Sequence, residues 1–205
     1  MENIVNWQKG TWTVQPEKVE LTEDGMIVQA AEGSDYWEET MYGFKHDNGH
    51  ALLSSWEDNS AVEVSFKLDT FTELYDQAGL MLWKGTQQWI KAGIEINDGQ
   101  PNLAVVVTNG CSDWSLSPVP DWKGQQVTIR ASQMNDAVII RAAGEDGHWR
   151  TIRVARFTRE PGRQAGPFTC GPTRAGLRVL FTRWVHTAPD KDIHEDPPFL
   201  ATAHK

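Results

Sequence analysis

The sequence predicts an all-β protein, a two-sheet antiparallel β-sandwich or jelly roll. Three observations carry this. Short segments alternate between apolar and polar residues from one end to the other, no 3.6-residue apolar stripe of useful length competes with them, and Asp24-Gly25, Asp98-Gly99 and Asp146-Gly147 punctuate them. Asp-Gly tolerates the positive φ of a tight hairpin, so each pair reads as a turn between neighbouring strands. A chain of 205 residues with 40% hydrophobic content fits one buried domain, 1–205, with 186–205 as a C-terminal tail.

Taken in order, the stretch "SDYWEETMYGFKHDNGHALL" (34–53) mixes aromatics, acids and two His, and is neither clean strand nor clean helix. Loops on such scaffolds often carry function. "AVEVSFKLD" places Val62, Val64, Phe66 and Leu68 on one face and Glu63, Ser65, Lys67 and Asp69 on the other, the pattern of a half-buried antiparallel strand. "QAGLMLWK" sets Ala78, Leu80 and Leu82 against Gly79, Met81 and Trp83, and "QQVTIRAS" sets Val127, Ile129 and Ala131 against Thr128, Arg130 and Ser132. In "WIKAGIEI", Ile90, Ala92, Ile94 and Ile96 form an apolar face, opposite Trp89, Lys91, Gly93 and Glu95. Arg141 lies in "AVIIRAAG" and Arg178 in "GLRVLFTRW", both strand-like. The Gly- and Pro-rich stretch 158–173 reads as a long connection, and the end of the chain, with three Pro, as a segment that wraps or frays.

The formal net charge of −9 disfavours nucleic acid and anionic membrane as partners, because both need a basic field. The charge is uneven: residues 1–100 carry 18 acids against 6 Lys and no Arg, and residues 101–205 carry 13 basic residues against 10 acids. Strands of a sandwich interleave in space, so this asymmetry fades on folding. The N-terminus lacks the basic start and apolar middle of a signal peptide, and no apolar run reaches the length of a membrane span, so a cytoplasmic place is expected. Cys111 and Cys170 are the two cysteines, too few for a disulfide framework or a Cys-based metal site.

Ten Trp is a high count for a residue that is seldom buried completely. Sugar sites favour indoles because the C–H face of a sugar ring stacks on them while polar neighbours take the hydroxyls. Candidate ligand-binding residues follow from the patterns above. Lys91 and Glu95 share a strand face about 13 Å apart, too far for an ion pair, with Gly93 between them and Trp89 at the rim. "TNGCSDWS" brings Asn109 and Asp113 beside Trp114, although the same residues also make good turns. Asp35, Trp37, Tyr42, His46, Asp47 and His50 form a third group. Its His spacing matches no zinc motif, so neither metal nor cofactor is assigned. Arg141 and Arg178 sit on a solvated sheet face or reach a groove as bidentate donors. No P-loop, dinucleotide fingerprint or nucleophile elbow appears.

The segment "GLMLWKGTQQWIKAGIEINDGQPNLAVVVTNGCSDWS" (79–115) and the earlier "SDYWEETMYGFKHDNGH" (34–50) resemble blocks of a bacterial and fungal family described as regulation-of-enolase-like, a domain of unknown function. The resemblance spans about residues 10–185. It implies a concanavalin A-like lectin/glucanase sandwich, whose relatives hold sugars on a concave sheet. Hydrolases of that architecture use Glu, Asp and Glu on one strand. Here "IEIND" offers Glu95 followed on the same face by Asn97, so no catalytic residue is assigned. The expectation is non-catalytic binding of a carbohydrate or small polyol by Asp35, Trp37, Trp89, Lys91, Glu95, Asn109, Asp113, Trp114, Arg141 and Arg178. The alternatives are a regulatory module with a protein partner and, with less support, a glycoside hydrolase.

Overall fold

The structure is a computed structural model that describes residues 2–199. Its first strands are β1 (Asn3–Ile4), β2 (Thr11–Trp12), β3 (Lys18–Thr22), β4 (Gly25–Gln29), β5 (Tyr36–Glu38) and β6 (Lys45–Asp47). Then come β7 (His50–Ser55), β8 (Ala61–Lys67), β9 (Gln77–Trp83), β10 (Gln88–Asn97), β11 (Gln100–Asn109) and β12 (Cys111–Pro118). The last are β13 (Gln126–Met134), β14 (Ala137–Ala143), β15 (Arg150–Arg156), β16 (Gln164–Cys170) and β17 (Arg178–Thr187). They form an antiparallel β-sandwich. The front sheet runs β12-β11-β10-β9-β16-β7-β2, the back sheet β15-β14-β13-β8-β17-β4-β3 with β1 on β17, and β5-β6 is a separate hairpin.

The alternation read from the sequence decides which residues meet between the sheets. Ile90, Ala92, Ile94 and Ile96 of β10 face Val62, Val64 and Phe66 of β8 and Val127, Ile129 and Ala131 of β13 in one buried cluster. Such a core is close-packed, so even a lost methyl is felt. Ile94→Val is expected to cost about 0.5–1.5 kcal/mol, measured as a shift of the urea midpoint at constant slope; no shift would mean that β10 is not anchored as described.

Asp98 and Gly99, both at positive φ (51° and 73°), close the β10–β11 hairpin. That register places Trp89 opposite Thr108 and Glu95 opposite Asn102. On the other side, Gly93 pairs with Gly79 of β9 so closely that a Cβ on Gly93 would lie 2.0 Å from the Ala78 carbonyl oxygen.

The stretch 158–173 is not the long connection expected. β16 passes through it and lies near the centre of the front sheet. Pro167 hid this strand from pattern reading. It lacks a backbone N–H, and the ladder to β7 breaks at Gly166 and Pro167 while the ladder to β9 runs unbroken. The tail begins later than expected: residues 186 and 187 belong to β17, and the following residues fold back over the outer face of the back sheet, where Asp190 is buried. Residues 200–205 lie outside the described part.

Candidate functional site

The outer face of the front sheet is unusual in being apolar. Met81, Trp89, Val106, Phe168 and Cys170 form a second cluster there, completed by Tyr36 and Trp37 from the segment that holds the β5–β6 hairpin. That segment is laid against the sheet by specific bonds. The Tyr36 ring meets Trp83 and Trp89 at 5.9 and 5.8 Å, and its hydroxyl donates to the Gly49 carbonyl (2.7 Å) beside Thr13 Oγ1 (2.6 Å). The Glu38 amide donates to Ser112 Oγ of β12 (2.9 Å). His50 is a structural part of the same arrangement: Nε2 accepts from the Ala31 amide (3.0 Å), Nδ1 lies 3.1 Å from the Val14 carbonyl, and burial pushes its pKa down.

Because the hairpin covers only part of this face, a cleft of about 270 Å³ remains between them. Lys91, Glu95, Gln77 and Val106 lie along its sheet side, and Asp35, Trp37, Tyr42, Phe44, Tyr75 and Trp114 complete its lining. Trp37 stands at 90° to Trp114 with centroids 6.2 Å apart, and Tyr42 stacks flat on Phe44 at 5.2 Å. Tyr75 is held at a φ of +64°, strained for a bulky side chain, by a turn whose amide donates to the Ile96 carbonyl. Such strain is commonly stored at functional sites.

The polar groups are tightly arranged. Lys91 Nζ donates to Asp35 Oδ1 (2.7 Å) and Gln77 Oε1 (2.9 Å). Burial disfavours the ammonium, yet Asp35, helped by Glu95, lifts the Lys91 pKa above the ordinary lysine value, so the residue stays charged. Glu95 is 4% exposed, and its Oε1 has no hydrogen-bond partner. Burial pushes its pKa up to about 7; Lys91 opposes the rise and Asp35 adds to it. A buried carboxylate oxygen without a donor is a costly feature, and here it belongs to a residue that borders the cleft.

A family model described as a protein of unknown function, DUF1349, matches residues 12–189. The chain belongs to the DUF1349 family. This DUF1349 protein is 35% identical over 189 residues to Regulation of enolase protein 1 of Saccharomyces cerevisiae, a match covering 91% of this chain and 94% of the yeast one. The crystal structure of a functionally unknown protein from Saccharomyces cerevisiae superposes with a TM-score of 0.81 at 32% identity, covering 90% of this chain and 99% of that one. Two more distant structures share the fold. A xylan β-1,4-xylosidase from Bacillus halodurans C-125 matches at TM-score 0.66 and 14% identity, over 90% of this chain and 38% of its own. The carbohydrate-binding module CBM66 from Bacillus subtilis matches at TM-score 0.51 and 12% identity, over 86% of this chain and 94% of its own.

Of the ten residues expected to bind ligand, the DUF1349 fold brings Asp35, Trp37, Lys91, Glu95 and Trp114 to the cleft. The other five lie elsewhere. Trp89 is on the expected face but 2% exposed beneath Tyr36, with its indole N–H on the Thr86 carbonyl, so it offers no stacking plane. Asn109 sits at the exposed β11–β12 turn with Gly110, and Asp113, one residue out of phase with Trp114, pairs with Arg153 of β15. Arg141 and Arg178 belong to the back sheet; Arg141 is buried beneath the C-terminal segment on Asp190, and Arg178 pairs with Glu20. Alternation assigns a residue to a face but not to a sheet, which is why both misled. Gln77, Phe44, Tyr75 and Val106 went unnamed. For Gln77 a signal existed, since it precedes Gly79 and Met81 on the same face of "QAGLMLWK".

Proposed function

We propose that the cleft binds a carbohydrate or small polyol without cleaving it. The observation that carries this reading is Glu95, a buried carboxylate with an unpartnered oxygen, bordering a cleft whose walls are the rings of Trp37, Trp114 and Tyr42. Rings offer flat apolar faces to sugar C–H groups, and carboxylates and amides take hydroxyls. Cleavage would need a second carboxyl placed as acid or base across the scissile bond. Asp35 is the other acid of the cleft, and it is held by the Lys91 ammonium. The sandwich shared with a carbohydrate-binding module supports the reading at the level of fold.

Titration calorimetry against a broad oligosaccharide panel tests it. Binding to some member is expected, with at least about tenfold weaker affinity in Trp114→Ala. Silence across the panel, or release of reducing sugar, would overturn it. A second reading rests on the turn between β5 and β6, where Met41 is 85% exposed next to the half-exposed Tyr42, itself stacked on the half-exposed Phe44. A surface of this kind suits a protein partner in carbohydrate metabolism, a role that the name of the yeast relative suggests. Loss of a defined protein complex in Met41→Asp, with sugar binding absent, would favour that reading.

A further inference from the structure

We infer that the preferred ligand carries a cationic nitrogen and is an amino sugar rather than a neutral sugar or a sugar acid, an inference that rests on the cleft being a sugar site. The charges decide it. Lys91 and Asp35 neutralise one another at 2.7 Å, and the remaining contact of Lys91 is the Gln77 amide oxygen, so the ammonium is already committed. The ionised Glu95 is then a negative charge without a counter-ion of its own, and its Oε1 lacks a donor. An ammonium group in the cleft can supply the counter-charge, and beside a carboxylate that is 4% exposed this attraction is stronger than at an open surface. The aromatic walls add to it, because Trp37, Trp114 and Tyr42 present electron-rich faces to a cation while still accepting the sugar ring. An anionic ligand meets the opposite field: Asp35 and Glu95 border the cleft, and its one cation is engaged.

The titratable groups that face Glu95 are Lys91 on its own strand, Asp35 from the segment before β5, Tyr75 from the β8–β9 connection and Cys170 of β16, and the Asn97 side chain hydrogen-bonds its carboxyl. Burial and neighbouring groups raise the proton affinities of Tyr75 and Cys170, so neither competes as an anion near neutrality. Glu95, whose pKa is pushed up to about 7, changes charge there, and a bound cation favours its ionised form. Binding of an amino sugar near pH 6, where its amine (about 7.7–8.0 for an α-amino group) stays protonated and Glu95 still carries its proton, should therefore release a proton.

The test is calorimetry on the full chain with four matched probes: oligomers of glucosamine, the same oligomers N-acetylated, glucose oligomers and glucuronate oligomers. Glucosamine oligomers are expected to bind at least about tenfold more tightly than glucose oligomers, and glucuronate oligomers most weakly. The apparent enthalpy for glucosamine oligomers at about pH 6 should change with the ionisation enthalpy of the buffer, and Glu95→Gln should bring the glucosamine-to-glucose ratio within about twofold. Equal or tighter binding of the neutral or acidic oligomers, or a buffer-independent enthalpy, overturns the amino-sugar preference and leaves the sugar site standing. Failure of all four probes overturns both. The ratio and the buffer dependence are read on the wild-type chain, so the inference is decided even where Glu95→Gln folds poorly.

Discussion

Asp190→Ala is expected to destabilise the chain by about 3–5 kcal/mol, the range for breaking a buried ion pair from one side. The Asp190 side chain is fully buried and bridges two arginines that are themselves 2% exposed. Its Oδ1 accepts from Arg130 Nε and Nη2 at 2.9 and 2.7 Å, and its Oδ2 from Arg141 Nε at 3.0 Å. Its own amide donates to Ser132 Oγ at 2.8 Å. Removing the carboxylate leaves Arg130 with Glu63, Thr187 and the Ala188 carbonyl, and Arg141 with Thr151, Asp196 and the Ile193 carbonyl. Both guanidinium groups, each 2% exposed, then have donors unmet. Asp196 makes the informative control. Its side chain is 60% exposed, so Asp196→Ala should cost under about 1 kcal/mol although it contacts the same Arg141. Urea unfolding of the two variants decides the matter. If Asp190→Ala costs no more than Asp196→Ala, the C-terminal segment is not held as described.

The same network shows where reading the sequence stops. The alternation of "AVIIRAAG" correctly turns Ile140 and Ala142 inward and Arg141 outward. What it cannot convey is that the outward face of β14 is roofed by a segment about 50 residues further on. Trp89 failed for a parallel reason: its face was legible in "WIKAGIEI", but its cover, Tyr36, arrives from a stretch with no clean period. Long-range covers are set by tertiary pairing, and local patterns carry no trace of it. By contrast Lys91, Glu95 and Trp114 were legible because strand parity and two successive hairpin registers bring them to a common face. The sandwich itself followed from the same two-residue period, and Pro167 explains the central strand that was lost from view.

Glu95→Gln is expected to stabilise the chain above neutral pH, by an amount that disappears in acid. In the folded chain the Glu95 carboxyl keeps its proton up to about pH 7, whereas its ordinary value, the one that applies once the chain unfolds, is 4.5. Between these two values the folded state binds more proton than the unfolded state, so stability falls as pH rises. The contribution is fully present below about 4.5 and is lost as pH passes through about 7. A difference of this size corresponds to on the order of 3 kcal/mol. Glutamine keeps the shape and removes the charge, so the variant should gain on wild type by roughly 2–3 kcal/mol between about pH 4 and about pH 8, as read from denaturant midpoints. An unchanged difference across that range would show that Glu95 is not buried as a carboxylate. The direction matters for function. On the proposed reading, the ligand supplies the counter-charge that the carboxylate lacks, and binding offsets the cost that this charge imposes at neutral pH.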